Sequence, residues 1–207
     1  SILFTRAEIE VHLAATATVA SDAEQVIEEI VAKMTEALGP ALFATNGETM
    51  EEVIGTLLTD RGETLAVAES CTGGLIGMRL TEIPGSSKYF LEGAITYSND
   101  AKTRTLDVSA ETLNEYGAVS SQTAEAMAAG VRLRAGSSYG ISVTGVAGPD
   151  GGSEEKPVGT VFIGYSDSSR TKSIKFTFPG DRHLIRWRSS QAALDYLRRQ
   201  IVRLHEG

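Results

Sequence analysis

The apolar positions at the start of the chain follow first a strand pattern and then a helix pattern. Apolar and more polar residues alternate from residue 9 to residue 19, which is the period of a half-buried strand. Ser21 and Glu24 have the spacing of a capping box, which predicts a helix that ends at the Gly-Pro pair of residues 39–40. A short apolar run at residues 42–44 predicts a second strand. The pattern therefore predicts a small N-terminal βαβ appendage over residues 1–45.

From Thr49 onwards, helix patterns and strand patterns alternate over a much longer stretch. Thr49 and Glu52 form a second capping box, and Gly62 is expected to end that helix. Later helices are predicted after the first strand, from Ser120 and after Asp181. The predicted strands cover residues 64–68, 93–97, 139–143, 158–165 and 172–178, the last two as a hairpin. This order predicts an α/β fold over residues 49–207, a three-layer α/β/α sandwich with a mixed sheet.

Composition and charge narrow the classes of function. The chain has 207 residues, of which 42% are hydrophobic and 22% charged, as in folded proteins. The formal net charge of −8 disfavours nucleic-acid binding, which requires clustered lysine and arginine, but allows a small phosphorylated ligand. No apolar run is long enough to cross a bilayer. We therefore expect a partner that is a small molecule, with neither nucleic acid nor membrane.

Cysteine and histidine usage bears on compartment and metal content. Cys71 is the only cysteine, so no internal disulfide is possible, and the first five residues do not resemble a secretory signal. We expect a cytoplasmic protein. The histidines His12, His183 and His205 lack metal-ligand spacing, so neither a metal nor another cofactor is predicted. The chain begins with Ser1 rather than Met, which hints at an excised part of a longer protein.

Four segments with candidate chemistry each follow the predicted carboxyl end of a strand, the edge at which open α/β sheets bind ligands. The first is residues 69–74, where a strand–turn–helix joint carries Ser70 and the pair Gly73–Gly74. Their backbone N–H groups are suited to hold an oxyanion or a phosphate. Spacing alone equally allows an N-cap serine with packing glycines. The segment is not GxSxG, so the α/β-hydrolase interpretation fails.

The other three segments are each ambiguous from spacing alone. Lys102 follows residues 97–99 in the first turn of a helix, where the dipole lowers its pKa, yet a solvated surface lysine fits the same pattern. The glycines of residues 144–152 permit close approach to a ligand or describe an ordinary loop. Arg182 either binds phosphate or pairs with Asp181.

Taken together, these segments resemble the signature blocks of the C-terminal, or PncC, amidase domain of the CinA family. The resemblance runs from about Thr49 to the last helix and includes every block. The blocks are residues 68–74 (AESCTGG), 97–102 (YSNDAK), 144–152 (TGVAGPDGG), 154–160 (EEKPVGT) and 178–182 (FPGDR). Residues 1–45 resemble the tail of the KH-like middle domain that precedes the amidase in full-length CinA proteins. That region has no GxxG loop, which speaks against RNA binding through it.

The resemblance implies a nicotinamide-nucleotide amidase that uses a serine–lysine pair. Ser70 is then the nucleophile, Lys102 its general base and Tyr97 a further catalytic residue. The implied substrate-binding residues are Thr72, Gly73, Gly74, Asn99, Thr144, Gly145 and Arg182. The implied partners are a pyridine nucleotide, a second copy in a homodimer and the N-terminal CinA domain.

Two other functions stay open at this point. In one, Cys71 is the nucleophile, although no histidine lies near it in sequence. In the other, the domain is a catalytically weak or inactive module for nucleotide binding or competence-related interaction.

Overall fold

The N-terminal part of the chain is a hairpin followed by a long helix. The computed structural model describes residues 1–5 and 7–205. Strands β1 (Ile2–Phe4) and β2 (Ile9–Val11) pair antiparallel, and helix α1 (Ala20–Leu38) follows them. A single 3₁₀ turn over Gly39–Ala41 ends the helix at the predicted Gly-Pro pair.

The predicted βαβ order of this part is wrong, because the order is ββα. Only Ile9–Val11 of the alternating stretch forms a strand, and residues 42–44 have no regular structure. All residues of β1 and β2 are exposed, so the alternation does not mark a half-buried face. The Ser21 capping box is also wrong: Val19 is the N-cap residue, and no side chain caps α1.

The remainder of the described chain matches the predicted order closely. The capping box of Thr49 and Glu52 is confirmed, with both reciprocal hydrogen bonds present, and Gly62 ends the helix in a left-handed conformation. Asp181 accepts a hydrogen bond from the Leu184 amide and so caps the last helix. The elements are α2 (Met50–Arg61), β3 (Leu65–Glu69), α3 (Leu75–Thr81), β4 (Phe90–Ile95), α4 (Asn99–Leu106), α5 (Ala110–Tyr116), α6 (Ser121–Ala135), β5 (Tyr139–Gly145), β6 (Thr160–Ser166), β7 (Thr171–Thr177) and α7 (Arg182–His205). Helix α5 was not predicted.

Five strands form one mixed sheet in the order β4-β3-β5-β6-β7. β3 is parallel to both β4 and β5, whereas β6 and β7 are antiparallel additions at the side of β5. From β3 the chain crosses to β4 on one side and then returns past β3 to β5 on the other. The carboxyl ends of β3, β4 and β5 therefore meet at a topological switch point.

Alternate residues of β3 pack on opposite faces of the sheet. Leu65 and Val67 belong to a core shared with α2, α3 and α7. Ala66 and Ala68 belong to a second core shared with α4, α5 and α6. Two cores on the two faces confirm the predicted three-layer α/β/α sandwich. No helix in the described part of the chain is long and apolar enough to cross a membrane.

Glycines let α6 approach both the sheet and α4 very closely. A Cβ added at Gly140 or Gly164 would lie 2.1 Å from a backbone oxygen of α6. A Cβ added at Gly130 of α6 would lie 2.1 Å from the Leu106 carbonyl oxygen at the end of α4. Such distances exclude a side chain at these positions, so the α6 layer is packed backbone to backbone.

Candidate active site

Ser70 and Lys102 meet at the switch point. Ser70 follows β3 directly, and Lys102 lies in the first turn of α4, four residues after Ser98. The Ser70 amide donates to the Val143 carbonyl of β5, and the Thr96 amide donates to the Glu69 carbonyl of β3. These bonds continue the sheet ladders and fix the turn against both neighbouring strands.

The side chains of Ser70 and Lys102 are in direct contact. Lys102 Nζ lies 3.0 Å from Ser70 Oγ and 2.8 Å from the carbonyl oxygen of Thr96. Lys102 is 1% exposed, so the alternative of a solvated surface lysine is wrong. The Thr96 carbonyl orients the amine, because a neutral lysine that donates to it can direct its lone pair at the Ser70 hydroxyl.

Burial disfavours the charged form of Lys102. Desolvation lowers the pKa of the Lys102 ammonium from its ordinary value. Within the described ranges, no carboxylate forms an ion pair with this lysine. A buried amine without an anion is suited to accept a proton.

Most backbone N–H groups after Ser70 donate hydrogen bonds to acceptors within residues 69–77. The buried carboxylate of Glu69 accepts from the amides of Gly74, Ile76 and Gly77 at 3.0, 3.2 and 2.9 Å, and so caps α3. The Gly73 amide donates to the Ser70 carbonyl. The N–H groups predicted to hold a ligand, those of Gly73 and Gly74, are therefore already engaged.

Within residues 1–5 and 7–205, the amides of Cys71 and Thr72 donate to no other residue, and that of Cys71 has only its own thiol as a partner. These two residues follow Ser70 directly in the chain. In acyl-transfer enzymes, a backbone amide just after the nucleophile commonly donates to the oxyanion. The other predicted glycine, Gly145, has a packing role, since a Cβ there would lie 2.7 Å from the Thr160 carbonyl oxygen.

Cys71 packs into the core as a thiol. It is 5% exposed, and burial raises its pKa to about 12. A thiol with this pKa is almost wholly protonated near neutrality and is a poor nucleophile. The structure therefore disfavours Cys71 and favours Ser70.

Arg182 and Tyr97 form a pair at the rim of the site. Arg182 donates to the Tyr97 hydroxyl oxygen at 2.8 Å and to the Gly148 carbonyl oxygen at 2.7 Å. Among the described ion pairs there is none between Arg182 and Asp181, so that alternative is wrong. Both side chains are largely exposed, and they are accessible to a ligand at the mouth of the site.

Three predicted residues have different surroundings. Thr72 is fully buried, and its hydroxyl has no hydrogen-bond partner in the described structure. Thr144 is buried too, and its hydroxyl donates to the Ala118 carbonyl oxygen at 2.7 Å. Asn99 is exposed on the first turn of α4. Of the three, only Asn99 presents a side chain to solvent.

Arg186 is a further residue at this turn, and it lies outside the sequence blocks that carry the resemblance. From α7, its Nε and Nη2 both donate to the Thr72 carbonyl oxygen, at 3.2 and 2.5 Å. Arg186 lies four residues after Arg182, so the two share a helix face, and this spacing is the sequence signal that could have identified it.

Two cavities of the described structure lie away from Ser70 and Lys102. A cavity of about 310 Å³ lies between α2 and the end of α3, and one of about 540 Å³ lies at the opposite edge of the sheet. Neither is lined by Ser70 or Lys102. No cluster of three potential metal ligands occurs among the described residues.

Comparison with known proteins places this arrangement in a family. The model of the CinA C-terminal domain matches residues 47–201. The chain belongs to the CinA family. A CinA-like protein of Koribacter versatilis is 44% identical over 202 residues, which are 98% of this chain and 49% of that protein. A putative competence-damage inducible protein of Clostridium novyi is 46% identical over 95% of this chain and 47% of its own length. The chain thus spans about half the length of the curated CinA relatives it matches.

Solved structures of the family have the same fold. The competence/damage inducible protein CihA of Agrobacterium tumefaciens superposes with a TM-score of 0.71 at 42% identity, over 75% of this chain and 96% of that chain. A CinA superfamily protein of Klebsiella pneumoniae superposes with a TM-score of 0.71 at 30% identity, over 75% and 99% of the two chains. The α/β architecture is therefore that of the CinA superfamily.

Proposed function

We propose that this chain hydrolyses the carboxamide of nicotinamide mononucleotide to give nicotinate mononucleotide and ammonia. The observation that carries the proposal is the contact of 3.0 Å between Lys102 Nζ and Ser70 Oγ in a buried site where the lysine has no described anionic partner. A hydroxyl beside a desolvated amine is an activated nucleophile. The substrate follows from the resemblance of the sequence blocks to nicotinamide-nucleotide amidases.

Acylation begins with neutral Lys102. Its lone pair takes the Ser70 proton while Oγ attacks the carboxamide carbon, and the carbonyl oxygen becomes an oxyanion. The amides of Cys71 and Thr72, which donate to no other residue of the described structure, are the donors available to stabilise that charge. Protonated Lys102 then gives its proton to the departing nitrogen, so that ammonia leaves and the nicotinoyl group stays on Ser70.

Deacylation reverses these roles with water as the nucleophile. Lys102, neutral again, takes a proton from water as the water oxygen attacks the ester carbon. The second tetrahedral intermediate collapses to the carboxylic acid, and Ser70 regains its proton from Lys102. The balance is one amide and one water consumed, with one acid and one ammonia formed.

The phosphate of the substrate fits the rim of the site. Arg182 is exposed and spans Tyr97 and Gly148, so its guanidinium is held in place by neutral groups. Because no described carboxylate pairs with it, its charge remains available to a phosphate. The acidic chain would otherwise repel such a ligand.

The test is ammonia release from nicotinamide mononucleotide by purified protein, with and without a metal chelator. We expect turnover in both cases, and we expect Ser70→Ala to abolish it while the protein still folds and binds the nucleotide. Cys71→Ala is the matched control at the adjacent position and should keep most of the activity. An active Ser70→Ala variant beside an inactive Cys71→Ala variant would reverse the assignment of the nucleophile.

A further inference from the structure

The turn that carries the nucleophile contains two glycines. Gly73 and Gly74 are consecutive residues with left-handed φ angles of 59° and 94°, and glycine adopts many other conformations at little cost. The Glu69 carboxylate holds the far end of this turn through the Gly74 amide. Between Ser70 and Gly73, the Thr72 carbonyl accepts only a long backbone hydrogen bond, of 3.4 Å from the Leu75 amide, so a contact from outside the turn can restrain it further.

Arg186 supplies a contact at that point. Two of its N–H groups converge on the single carbonyl oxygen of Thr72, and Nη2 lies 3.6 Å from the position of a Cβ at Gly73. Arg186 belongs to α7, whose neighbouring residue Ile185 is fully buried in the core. The guanidinium thus connects the turn to a helix that is anchored in the core.

The contact also brings positive charge to the turn. The described partner of the Arg186 guanidinium is a neutral carbonyl oxygen, and no carboxylate forms an ion pair with it in the described ranges. Its field reaches the neighbouring residue, since it is among the influences that lower the pKa of Cys71 against the larger effect of burial. Positive potential beside the amides of Cys71 and Thr72 favours an oxyanion there.

We propose that Arg186 is a positioning residue for the amidase reaction: by holding the Thr72 carbonyl, it fixes the peptide group between Thr72 and Gly73, and the turn fixed in this way keeps the preceding amides, those of Cys71 and Thr72, directed at the oxygen of the tetrahedral intermediate. The inference rests on the proposed function and adds to it a residue outside the matched sequence blocks. Arg182 has a separate role at the rim, because its partners are Tyr97 and Gly148.

The experiment compares Arg186→Gln and Arg186→Lys with wild type. Loss of one oxyanion-hole donor typically costs about 10²- to 10³-fold in kcat, and a displaced donor costs less. We expect Arg186→Gln to lower kcat about 10- to 100-fold with KM within about twofold, the signature of an interaction made only in the transition state. Arg186→Lys keeps the charge and one hydrogen bond, so it should restore part of kcat.

The matched control is Arg188→Gln. Arg188 lies on the same helix and also donates to a backbone carbonyl, that of Pro179 rather than one in the Ser70 turn. It should match wild type in kcat. Thermal unfolding of each variant separates lost positioning from lost folding, and Arg186→Lys serves if Arg186→Gln is unstable.

A second readout does not depend on the natural substrate. A fluorophosphonate probe reacts with an activated serine: Oγ bonds to phosphorus, fluoride leaves and Lys102 takes the hydroxyl proton. Its phosphoryl oxygen needs the same donors, so Arg186→Gln should slow labelling, measured by intact mass, in proportion to kcat.

The outcomes separate this inference from the proposed function. Unchanged kcat and labelling in Arg186→Gln would overturn the positioning role while the amidase stands. A raised KM for nicotinamide mononucleotide, with kcat unchanged and no effect on nicotinamide riboside, would make Arg186 a phosphate ligand instead. Labelling of wild type without ammonia release would remove the proposed substrate but leave the labelling ratio as a valid test. Wild type that is neither active nor labelled would overturn both.

Discussion

Two buried cations of this molecule have opposite surroundings. Arg79, 2% exposed, donates to Glu51 Oε1, Ser190 Oγ and Gln191 Oε1, and its guanidinium carbon lies 4.8 Å from the centre of the Trp187 ring. Lys102 is 1% exposed, and its amine has only the Ser70 hydroxyl and the Thr96 carbonyl oxygen as hydrogen-bond partners in the described structure. A carboxylate compensates the charge of Arg79, whereas no described carboxylate would compensate a charge on Lys102.

The difference indicates that Arg79 stabilises the fold and that Lys102 is suited to proton transfer. The Arg79 network links α2, α3 and α7, and each of the three guanidinium nitrogens has an acceptor, which stabilises a permanent buried charge. Lys102 would be stabilised as an ammonium by a carboxylate, but that ammonium could not act as a base. Its missing anion is therefore consistent with a proton-transfer role.

The largest effect is expected from breaking the Arg79 network. Arg79→Met leaves the Glu51 carboxylate without its partner, and removing one member of a buried pair typically costs about 3–5 kcal/mol of unfolding free energy. Urea unfolding measures this, and the folded protein should keep its kcat. Glu51→Gln in the same chain should recover part of the loss. A change below about 1 kcal/mol, the scale of exposed pairs, would contradict the structural role.

Replacing Lys102 should reverse that pattern, with activity lost and stability kept. Lys102→Arg retains a charge but cannot accept a proton near neutral pH, so turnover should fall by about 10²-fold or more. Lys102→Gln also removes the base, but without the larger side chain of arginine. Steady-state kinetics and calorimetric titration with the nucleotide are measured on both.

The same two measurements distinguish an enzyme from a binding module. A lysine that only binds phosphate would tolerate arginine, so affinity would survive. Retained turnover in Lys102→Arg would exclude the lysine as base.

The smallest effect is on the pH profile. The active form of Lys102 is neutral, and deprotonation proceeds as pH rises. Because burial lowers the pKa of Lys102, kcat/KM should rise with pH through a single-proton limb that levels off below the ordinary lysine value of about 10.4. The limb should be absent from the residual activity of Lys102→Gln. A kcat/KM that increases on acidification would contradict the assignment.

Sequence patterns predicted the main domain well because its signals are local and agree with one another. The capping box of Thr49 and the Asp181 cap are set by residues within one turn, and the structure contains both. The N-terminal part failed because β2 pairs with Ile2–Phe4, a partner that alternation alone does not reveal. Alternation also implies a buried face, and neither face of that hairpin is buried.

For the site, sequence blocks located Ser70 and Lys102 but not the bonds around them. The capping of α3 by Glu69 depends on the curvature of the turn, which brings a strand residue back over the helix start. This cap occupies the amide of Gly74, and the Ser70 carbonyl occupies that of Gly73, contrary to the prediction. Arg186 was missed because its partner Thr72 lies 114 residues away in sequence.

The backbone contact between α6 and α4 makes the distance between base and nucleophile adjustable from a remote position. Gly130 touches the Leu106 carbonyl, and Leu106 lies one helical turn beyond Lys102. A single methyl group at residue 130 would act as a spacer that pushes α4 away from α6, and the lysine moves with its helix. The tolerance of the reaction for such a displacement is small, since proton transfer depends on a contact of 3.0 Å. Selection for catalysis can therefore act on a glycine that no ligand ever reaches.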